Sequence, residues 1–223
     1  MNRDVHVQFQ ILPKGKLFTP GVTVIIVLSV LGFVLSLLAP DFTLKWLALS
    51  AGGLFHGIVW QLVTYPFINP SPIWLVCNMA VVLVIGSAIE RQWYTKTFVV
   101  FWFFVTGLCG LVWAVLTMAM AQVPAAGGSA AMGYAMVAVF GLIFRDKRFL
   151  LMMTTVNGKT LSLIMLGISL IINLYPSPIN LIWMLGAVLG YAFVKLREKN
   201  QYTQARPSHR NATYEPSSFI DID

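Results

Sequence analysis

The chain has 223 residues, of which 58% are hydrophobic and 10% are charged, and its mean hydropathy is +0.78. A soluble core of this length cannot bury so large an apolar fraction, so the composition is typical of a polytopic membrane protein. The formal net charge of +7 is first a signal of membrane topology. It gives no support for nucleic-acid binding, although basic loops attract anionic lipid headgroups.

Six apolar runs follow one another along the chain, most of them about 15 to 23 residues long. About 20 apolar residues in a helix cross a bilayer, so each run predicts a transmembrane helix. We therefore predict an all-α fold between a cytoplasmic segment (1–19) and a disordered cytoplasmic tail (197–223). The predicted spans are 20–39, 73–89, 98–120, 128–144, 160–174 and 178–196.

The 15 lysines and arginines indicate the orientation of the chain. In a six-helix topology all of them except Lys45 fall on one side, and basic loops stay in the cytoplasm, so both termini are predicted to be cytoplasmic. Residues 1–17 are polar and the first apolar run is long enough to span, which favours a retained anchor over a cleaved signal peptide. We expect an integral protein of a bacterial inner (plasma) membrane.

The cysteines and histidines show no metal-binding pattern. Cys77 and Cys109 lie inside predicted spans, positions typical of reduced packing residues. His6 and His209 lie in the polar tails, and His56 lies in the loop after the first span. We therefore predict no metal site and no cofactor.

The segment 55–68 is too polar to span a membrane and too aromatic for an ordinary loop. It predicts a half-inserted interfacial element, in which Trp60, Tyr65 and Phe67 lie among headgroups beside Gln61. A plain aromatic belt explains the same residues equally well.

Asn78 and Ser129 are the polar residues in the spans that matter most for function. An amide inside a span is costly, so Asn78 is expected to form an interhelical hydrogen bond or to serve a functional site. Ser129 follows Gly127 and Gly128 at the head of the fourth run. Taken alone, this group of small residues favours helix packing over a nucleophile.

The final run carries Gly186 and Gly190, a small-xxx-small pattern typical of tight helix packing. We expect the fourth and sixth helices to pack through Ser129, Gly133, Gly186 and Gly190.

In order and spacing, these segments resemble the rhomboid superfamily of intramembrane serine proteases over roughly residues 50–195. Its tryptophan-arginine motif before T-x-x-F falls on Trp60 and Gln61. Its H-x-x-x-x-H-x-x-x-N pattern falls on Asn69, Trp74 and Asn78, so only the asparagine is kept.

The resemblance continues to the last span. Gly86 and Glu90 match the glycine and glutamate expected at the cytoplasmic end of the second helix. The G-x-S motif ends on Ser129. The final A-H-x-x-G-x-x-x-G pattern keeps Gly186 and Gly190 but places Trp183 where the family has its histidine.

The departures imply a changed catalytic site. By the resemblance, Ser129 holds the nucleophile position and Trp183 replaces the general base, whose loss leaves a serine hydroxyl a weak nucleophile. Trp74 replaces the histidine that helps Asn78 to hold the oxyanion. Gly133 replaces the aromatic residue that often lies against the imidazole, and we expect the large Trp183 to conserve volume opposite it.

The resemblance therefore implies a rhomboid pseudoprotease that binds transmembrane client proteins without cutting them. The alternative is an active intramembrane serine protease that uses Ser129 with an unconventional base. A structural subunit or small-solute transporter is a third class, but the spans hold almost no ionisable residues to form a polar path. The sequence indicates neither the client nor the oligomeric state.

Overall fold

The computed structural model describes residues 17–69, 71–118, 125–151, 154–174 and 178–204, and it is largely helical. Each of the six predicted spans coincides with a helical segment. The helices are α1 (Pro20–Leu38), α2 (Pro40–Phe42), α3 (Ala51–Phe55), α4 (Gln61–Thr64), α5 (Pro72–Val81), α6 (Ser87–Met118), α7 (Ala130–Ile143), α8 (Gly158–Leu174) and α9 (Leu185–Gln204). π-helical turns follow α2 at Thr43–Leu47 and α5 at Val82–Gly86, and 3-10 turns cover Tyr65–Phe67 and Pro178–Met184.

Prolines define both ends of α1. Pro20 occupies the first turn, where its missing N–H costs no hydrogen bond and its fixed φ suits a helix. Pro40 disfavours a helical conformation at the residue before it, and Ala39 accordingly leaves the helix with φ −141° and ψ 68°. The predicted first span is thus reproduced to within one residue.

The helical stretch from Pro72 to Met118 is broken inside α6. Tyr94 has φ 65° and ψ 153°, which no α-helix contains. A Cβ on Gly86 would lie 3.3 Å from the Phe98 ring, whereas 12 residues of straight helix would separate the two by about 18 Å. The chain therefore turns back at Tyr94, and the predicted second and third spans pack against each other.

Glu90 joins this turn to the start of α1. Its carboxylate accepts hydrogen bonds from the backbone N–H groups of Gly21 (2.8 Å) and Val22 (2.9 Å). The hydroxyls of Thr19 and Thr95 also donate to it. The first N–H groups of a helix have no partner within the helix, so Glu90 completes the N-terminus of α1 from another helix.

Helix α7 lies at the centre of the fold. Its buried side chains, among them Met132, Met136 and Val139, belong to the main hydrophobic core. Near its end, Gly141 allows close approach to α8, because a Cβ there would lie 2.6 Å from the Cβ and Oγ of Ser162. α9 packs along another face of α7 and positions Trp183 beside it.

A second, smaller core lies beneath the segment between α1 and α5. It contains Leu49, Leu54, Tyr65, Trp113 and Ala114. The backbones of Leu49 and Ala126 exchange hydrogen bonds of 2.8 and 2.7 Å, which ties this segment to the residues before α7. Trp183 packs against both cores and links them.

The all-α prediction is wrong at one place. An antiparallel hairpin, β1 (Arg148–Leu151) and β2 (Thr154–Asn157), connects α7 to α8 and pairs Arg148 with Asn157. Its composition contains β-branched and aromatic residues that favour strands, but the basic residues at its start had suggested only a loop.

The last predicted span also differs in both form and length. Its first part, Pro178–Met184, is a 3-10 turn, and α9 continues to Gln204. Residues 197–204, predicted to begin a disordered tail, are therefore helical. The rest of that tail (205–223) and residues 1–16 lie outside the described residues.

Two stretches of the described chain are long and apolar enough to cross a membrane, Pro20–Leu38 and Pro72–Met118. Ala130–Ile143 and Gly158–Ile171 are apolar but shorter than the roughly 20 residues of a full span. Six crossings therefore stay a prediction.

Candidate functional site

Ser129 is the N-cap residue of α7, with φ −97° and ψ 27°, and its side chain is 5% exposed. A serine at this position usually accepts a hydrogen bond from an N–H of the first turn. Ser129 makes no such bond, and its hydroxyl has no other hydrogen-bond partner within the described chain. The hydroxyl is therefore not used for capping.

The two glycines before Ser129 are required by backbone geometry. A Cβ on Gly127 would lie 2.5 Å from the carbonyl oxygen of Ile68, so no larger residue fits. Gly128 has φ +98°, a conformation open to glycine but strained for other residues. Its N–H donates a 2.9 Å hydrogen bond to the carbonyl of Tyr65. These contacts fix Ser129 against the loop that precedes α5.

A cavity of about 170 Å³ lies beside Ser129. Gly127, Gly128 and Ala130 line the cavity, whereas the buried Ser129 between them does not. Its other lining groups are aromatic or neutral hydrogen-bonding side chains. They are Asn69, Trp74, Asn78, Tyr134, Asn173, Asn180 and Trp183.

Two asparagines are paired at one wall of the cavity. The amide nitrogen of Asn78 donates a 3.0 Å hydrogen bond to the Oδ1 of Asn69. A Cβ on Gly128 would lie 4.0 Å from that nitrogen and 3.8 Å from that oxygen. Asn78 therefore lies next to the backbone that leads into Ser129, while Trp74 on the same helix is 54% exposed.

A second polar pair also lines the cavity. The amide nitrogen of Asn173 in α8 donates to the hydroxyl of Tyr134 in α7 at 2.6 Å and to the carbonyl of Ser169 at 2.7 Å. This pair joins α7 to α8 at the cavity. The sequence analysis missed it, because Asn173 lies near the end of a predicted span where a polar residue needs no special role.

Trp183 lies in a stack of three aromatic rings. Its ring centroid is 5.9 Å from that of Tyr65 and 6.0 Å from that of Trp113, with interplanar angles of 29° and 17°. Aromatic pairs in offset stacks stabilise a fold by more than the burial of their apolar area alone. Trp183 belongs to the 3-10 turn that precedes α9, whereas Gly186 and Gly190 belong to α9 itself.

Gly186 and Gly190 pack directly on α7. A Cβ on Gly186 would overlap the carbonyl oxygen of Ala131, and one on Gly190 would lie 2.8 Å from the carbonyl oxygen of Ala135. Gly133 was expected to take part in this helix contact, but a Cβ there would meet no atom within 4 Å. Two residues along a helix correspond to about 200° of rotation, so the contact face passes through Ala131 and Ala135 rather than Ser129 and Gly133.

Trp183 was expected to fill the space left by the missing side chain of Gly133, and this expectation is wrong. The space beyond Gly133 is open, so the large indole does not fill it. Trp183 instead packs on Tyr65 and Trp113.

The family model for the Rhomboid domain matches residues 56–199. The chain belongs to the rhomboid family. Members of this family are integral membrane proteins, so the apolar helices are membrane-embedded. No curated protein matches the chain.

In a rhomboid protease the serine needs a proton acceptor beside it, and Trp183 offers only an indole N–H donor. Among the described residues His56 is exposed, with its Nδ1 2.6 Å from the carbonyl oxygen of Gly52. His6 and His209 lie outside the described residues. Lys45 lies 5.7 Å from the centroid of the Trp46 ring in the exposed loop. Within the described residues, neither His56 nor Lys45 forms a hydrogen bond with Ser129.

The rhomboid loop motif is held by a buried glutamine. Gln61 is fully buried; its Oε1 accepts from the Ser50 N–H (3.1 Å), and its Nε2 donates to the Lys45 carbonyl (3.0 Å). Trp60 is 46% exposed and stacks on Trp46. Gln61 thus organises the loop through its side-chain amide.

Tyr65 and Phe67 do not lie among headgroups as expected. Tyr65 is fully buried and donates a 2.7 Å hydrogen bond from its hydroxyl to the Thr106 carbonyl. Phe67 is 9% exposed and stacks on Trp102. The sequence signal for an interfacial aromatic belt is the same as that for a buried aromatic cluster, so burial could not be foreseen.

Proposed function

We propose that this rhomboid protein is proteolytically inactive and binds transmembrane client proteins within the bilayer. We further propose that it crosses a bacterial inner membrane six times with both termini in the cytoplasm. The observation that carries the proposal is the aromatic stack of Trp183 with Tyr65 and Trp113. In this proposal Trp183 stands where the family resemblance has its histidine, and the stack holds the indole in place.

Proteolysis by Ser129 would require a base that removes the proton of its hydroxyl. A serine hydroxyl attacks a peptide carbonyl effectively only when a base removes its proton, and indole cannot accept that proton. In serine proteases, loss of the base lowers turnover by about a millionfold, which corresponds to about 8 kcal/mol of barrier. A membrane protein with this deficit would not cut clients at a useful rate.

The residues at the expected oxyanion positions, Asn78 and Trp74, support the same proposal. Asn78 keeps its amide, but that nitrogen is already hydrogen-bonded to Asn69. Trp74 stands where the resemblance expects a histidine, and its side chain is 54% exposed. Preorganised donors contribute most to such catalysis when they point at the developing charge. Here one of the two N–H groups of Asn78 donates to Asn69, and Trp74 replaces the expected histidine donor.

Client binding is supported by the cavity that remains beside Ser129. Its lining of neutral amides, hydroxyl and indole groups can hydrogen-bond to a segment of polypeptide without introducing a charge. Polar groups at membrane depth are costly unless they find partners, and they commonly mark functional sites. A client helix with an unwound or polar stretch would provide such partners.

Activity is tested with purified full-length protein in liposomes. We expect no cleavage of rhomboid model substrates and no labelling of Ser129 by a fluorophosphonate, with Ser129→Ala as the background control. Robust labelling that Ser129→Ala abolishes would contradict inactivity and support the alternative of an active protease with an unconventional base.

Client binding is tested by placing a photo-crosslinking amino acid at position 74 or at position 73 in cells. Both side chains are exposed on α5, but only Trp74 lines the cavity. We expect position 74 to give discrete crosslinks to membrane proteins that position 73 does not give. Identical patterns from the two positions would contradict client binding at the cavity.

A further inference from the structure

A groove of about 180 Å³ lies between α1 and the part of α6 that follows Tyr94, away from the cavity beside Ser129. Apolar side chains from both helices form its walls, and no polar atom lines its accessible surface. They include Val24, Ile25, Leu28, Val99, Trp102 and Phe103. Val24 and Phe103 are 57% and 40% exposed, so the groove opens to the outside of the protein.

The position of the groove determines what surrounds it. Its walls belong to Pro20–Leu38 and Pro72–Met118, the two stretches long and apolar enough to cross a membrane. In an integral membrane protein this surface faces hydrocarbon, and water in an apolar groove at that depth would be unfavourable. Lipid acyl chains are therefore the medium that meets the groove.

The chemistry of the groove favours a lipid chain over a polypeptide segment with polar groups. No polar atom lines its accessible surface, so the groove offers no hydrogen bond to a ligand. A flexible hydrocarbon chain needs none and can follow the apolar walls.

A cation follows Thr95, which lines the groove. This residue, Lys96, is exposed and precedes Val99 and Phe103 by three and seven residues, so the three share one face of α6. Within the described residues, no ion pair joins Lys96 to a carboxylate.

The nearest carboxylate in the sequence does not neutralise Lys96. Both oxygens of Glu90 are occupied by donors from the N-terminus of α1 and from Thr95. A long lysine side chain at the end of a span extends its ammonium to the headgroup layer, where phosphates lie.

We infer that the groove binds one acyl chain of an anionic phospholipid, whose phosphate pairs with the ammonium of Lys96. The apolar walls provide the chain site and the unpaired cation selects the headgroup. This lipid site is independent of the cavity beside Ser129 and of any client.

The test uses full-length protein in liposomes that contain phosphatidylglycerol with a diazirine on one acyl chain. Photo-crosslinked α1 and α6 peptides are then quantified by mass spectrometry. Val24→Trp fills the groove from an exposed position and should lower this crosslinking several-fold. Val27→Trp is the matched control, because Val27 is 50% exposed on α1 but does not line the groove.

The headgroup is tested with phosphatidylcholine that carries the same diazirine chain. We expect about fivefold more crosslinking from phosphatidylglycerol, since one lysine near anionic headgroups contributes about 1 kcal/mol and 1.4 kcal/mol is tenfold. Lys96→Gln should remove this preference, whereas Lys159→Gln, also at an exposed lysine, should keep it.

Two results would overturn the inference. Unchanged crosslinking in Val24→Trp, with thermal unfolding like that of Val27→Trp, would show that no chain occupies the groove. Equal crosslinking from the two lipids in the parent protein would show that Lys96 selects no anionic headgroup.

Discussion

The carbonyl oxygen of Ala131 occupies the space that a side chain on Gly186 would need. One turn further along, Gly190 meets Ala135 in the same way, with its Cβ position 2.8 Å from that carbonyl oxygen. Helices α7 and α9 therefore approach backbone to backbone, as small residues allow in membrane proteins. This contact holds both the N-terminus of α7 and the turn that carries Trp183.

Gly186→Ala should destabilise the protein by at least about 1–3 kcal/mol, because the added methyl overlaps backbone rather than a movable side chain. Gly133→Ala is the matched control on α7. Its Cβ would meet no atom within 4 Å, so it should be neutral or stabilising by about 0.4–1 kcal/mol. Thermal unfolding in detergent measures both. Equal effects of the two substitutions would contradict the contact face described above.

Trp183→Ala should destabilise the protein by about 3 kcal/mol, near the lower limit for a truncated core tryptophan because the residue is only partly buried. The loss comes from the contacts with Tyr65 and Trp113 and from the junction between the two cores. Trp74→Ala, at an exposed tryptophan of the same cavity, should have a much smaller effect. A Trp183→Ala protein as stable as the parent would argue against the stack.

Trp183→His should not restore proteolysis. The imidazole would lose most of the aromatic contact, and the open space beyond Gly133 offers no ring to hold it toward Ser129. Cleavage of a model substrate in liposomes measures the outcome, with Trp183→Phe as the control for ring size. Turnover typical of the family in Trp183→His would show that the pocket is still catalytically organised.

Much of the fold could be predicted because hydropathy alone locates apolar helices. The bounds of α1 and α8 agree with the predicted spans to within one or two residues at each end. The break at Tyr94 was implied by the gap between the second and third runs. The helical fold and the rhomboid family are thus confirmed, whereas the hairpin β1–β2 was not foreseen.

The contact face of α7 could not be predicted, for a specific reason. Ser129 with Gly133, and Ala131 with Ala135, are two sets of small residues with the same four-residue spacing. Both patterns allow close packing, and only the three-dimensional structure distinguishes them. Tyr65 presents the same difficulty, since a tyrosine suits a headgroup layer and a hydrogen-bonded core equally well.

Glu90→Gln should lower the unfolding temperature strongly. The amide has one acceptor oxygen in place of two charged ones, and its NH₂ would face the N–H group of either Gly21 or Val22, which donate to different oxygens. Hydrogen bonds to a charged group contribute about 1.5–3 kcal/mol each, so the loss of even one is measurable. Glu198→Gln removes an exposed pair with Lys195 and should change little. Equal shifts in the two variants would contradict a structural role of Glu90.

Gln61→Arg would introduce the arginine of the family motif and should nevertheless destabilise the loop. A guanidinium has no acceptor, so the Ser50 N–H would lose its partner, and the fully buried site would have to hold a larger, charged group. Gln92→Arg, at an exposed glutamine, is the control. Protease sensitivity of the segment between α1 and α5 should rise only in Gln61→Arg, and full resistance would contradict this role.

The hydrogen bonds from Gly21 and Val22 to Glu90 join residues about 70 positions apart in the chain. During synthesis the first N–H groups of α1 therefore have only water or headgroups as partners until Glu90 has been made. They gain their protein acceptor when the helix that carries Glu90 packs against α1, so the N-terminus of the first helix is completed by a residue that the ribosome adds much later.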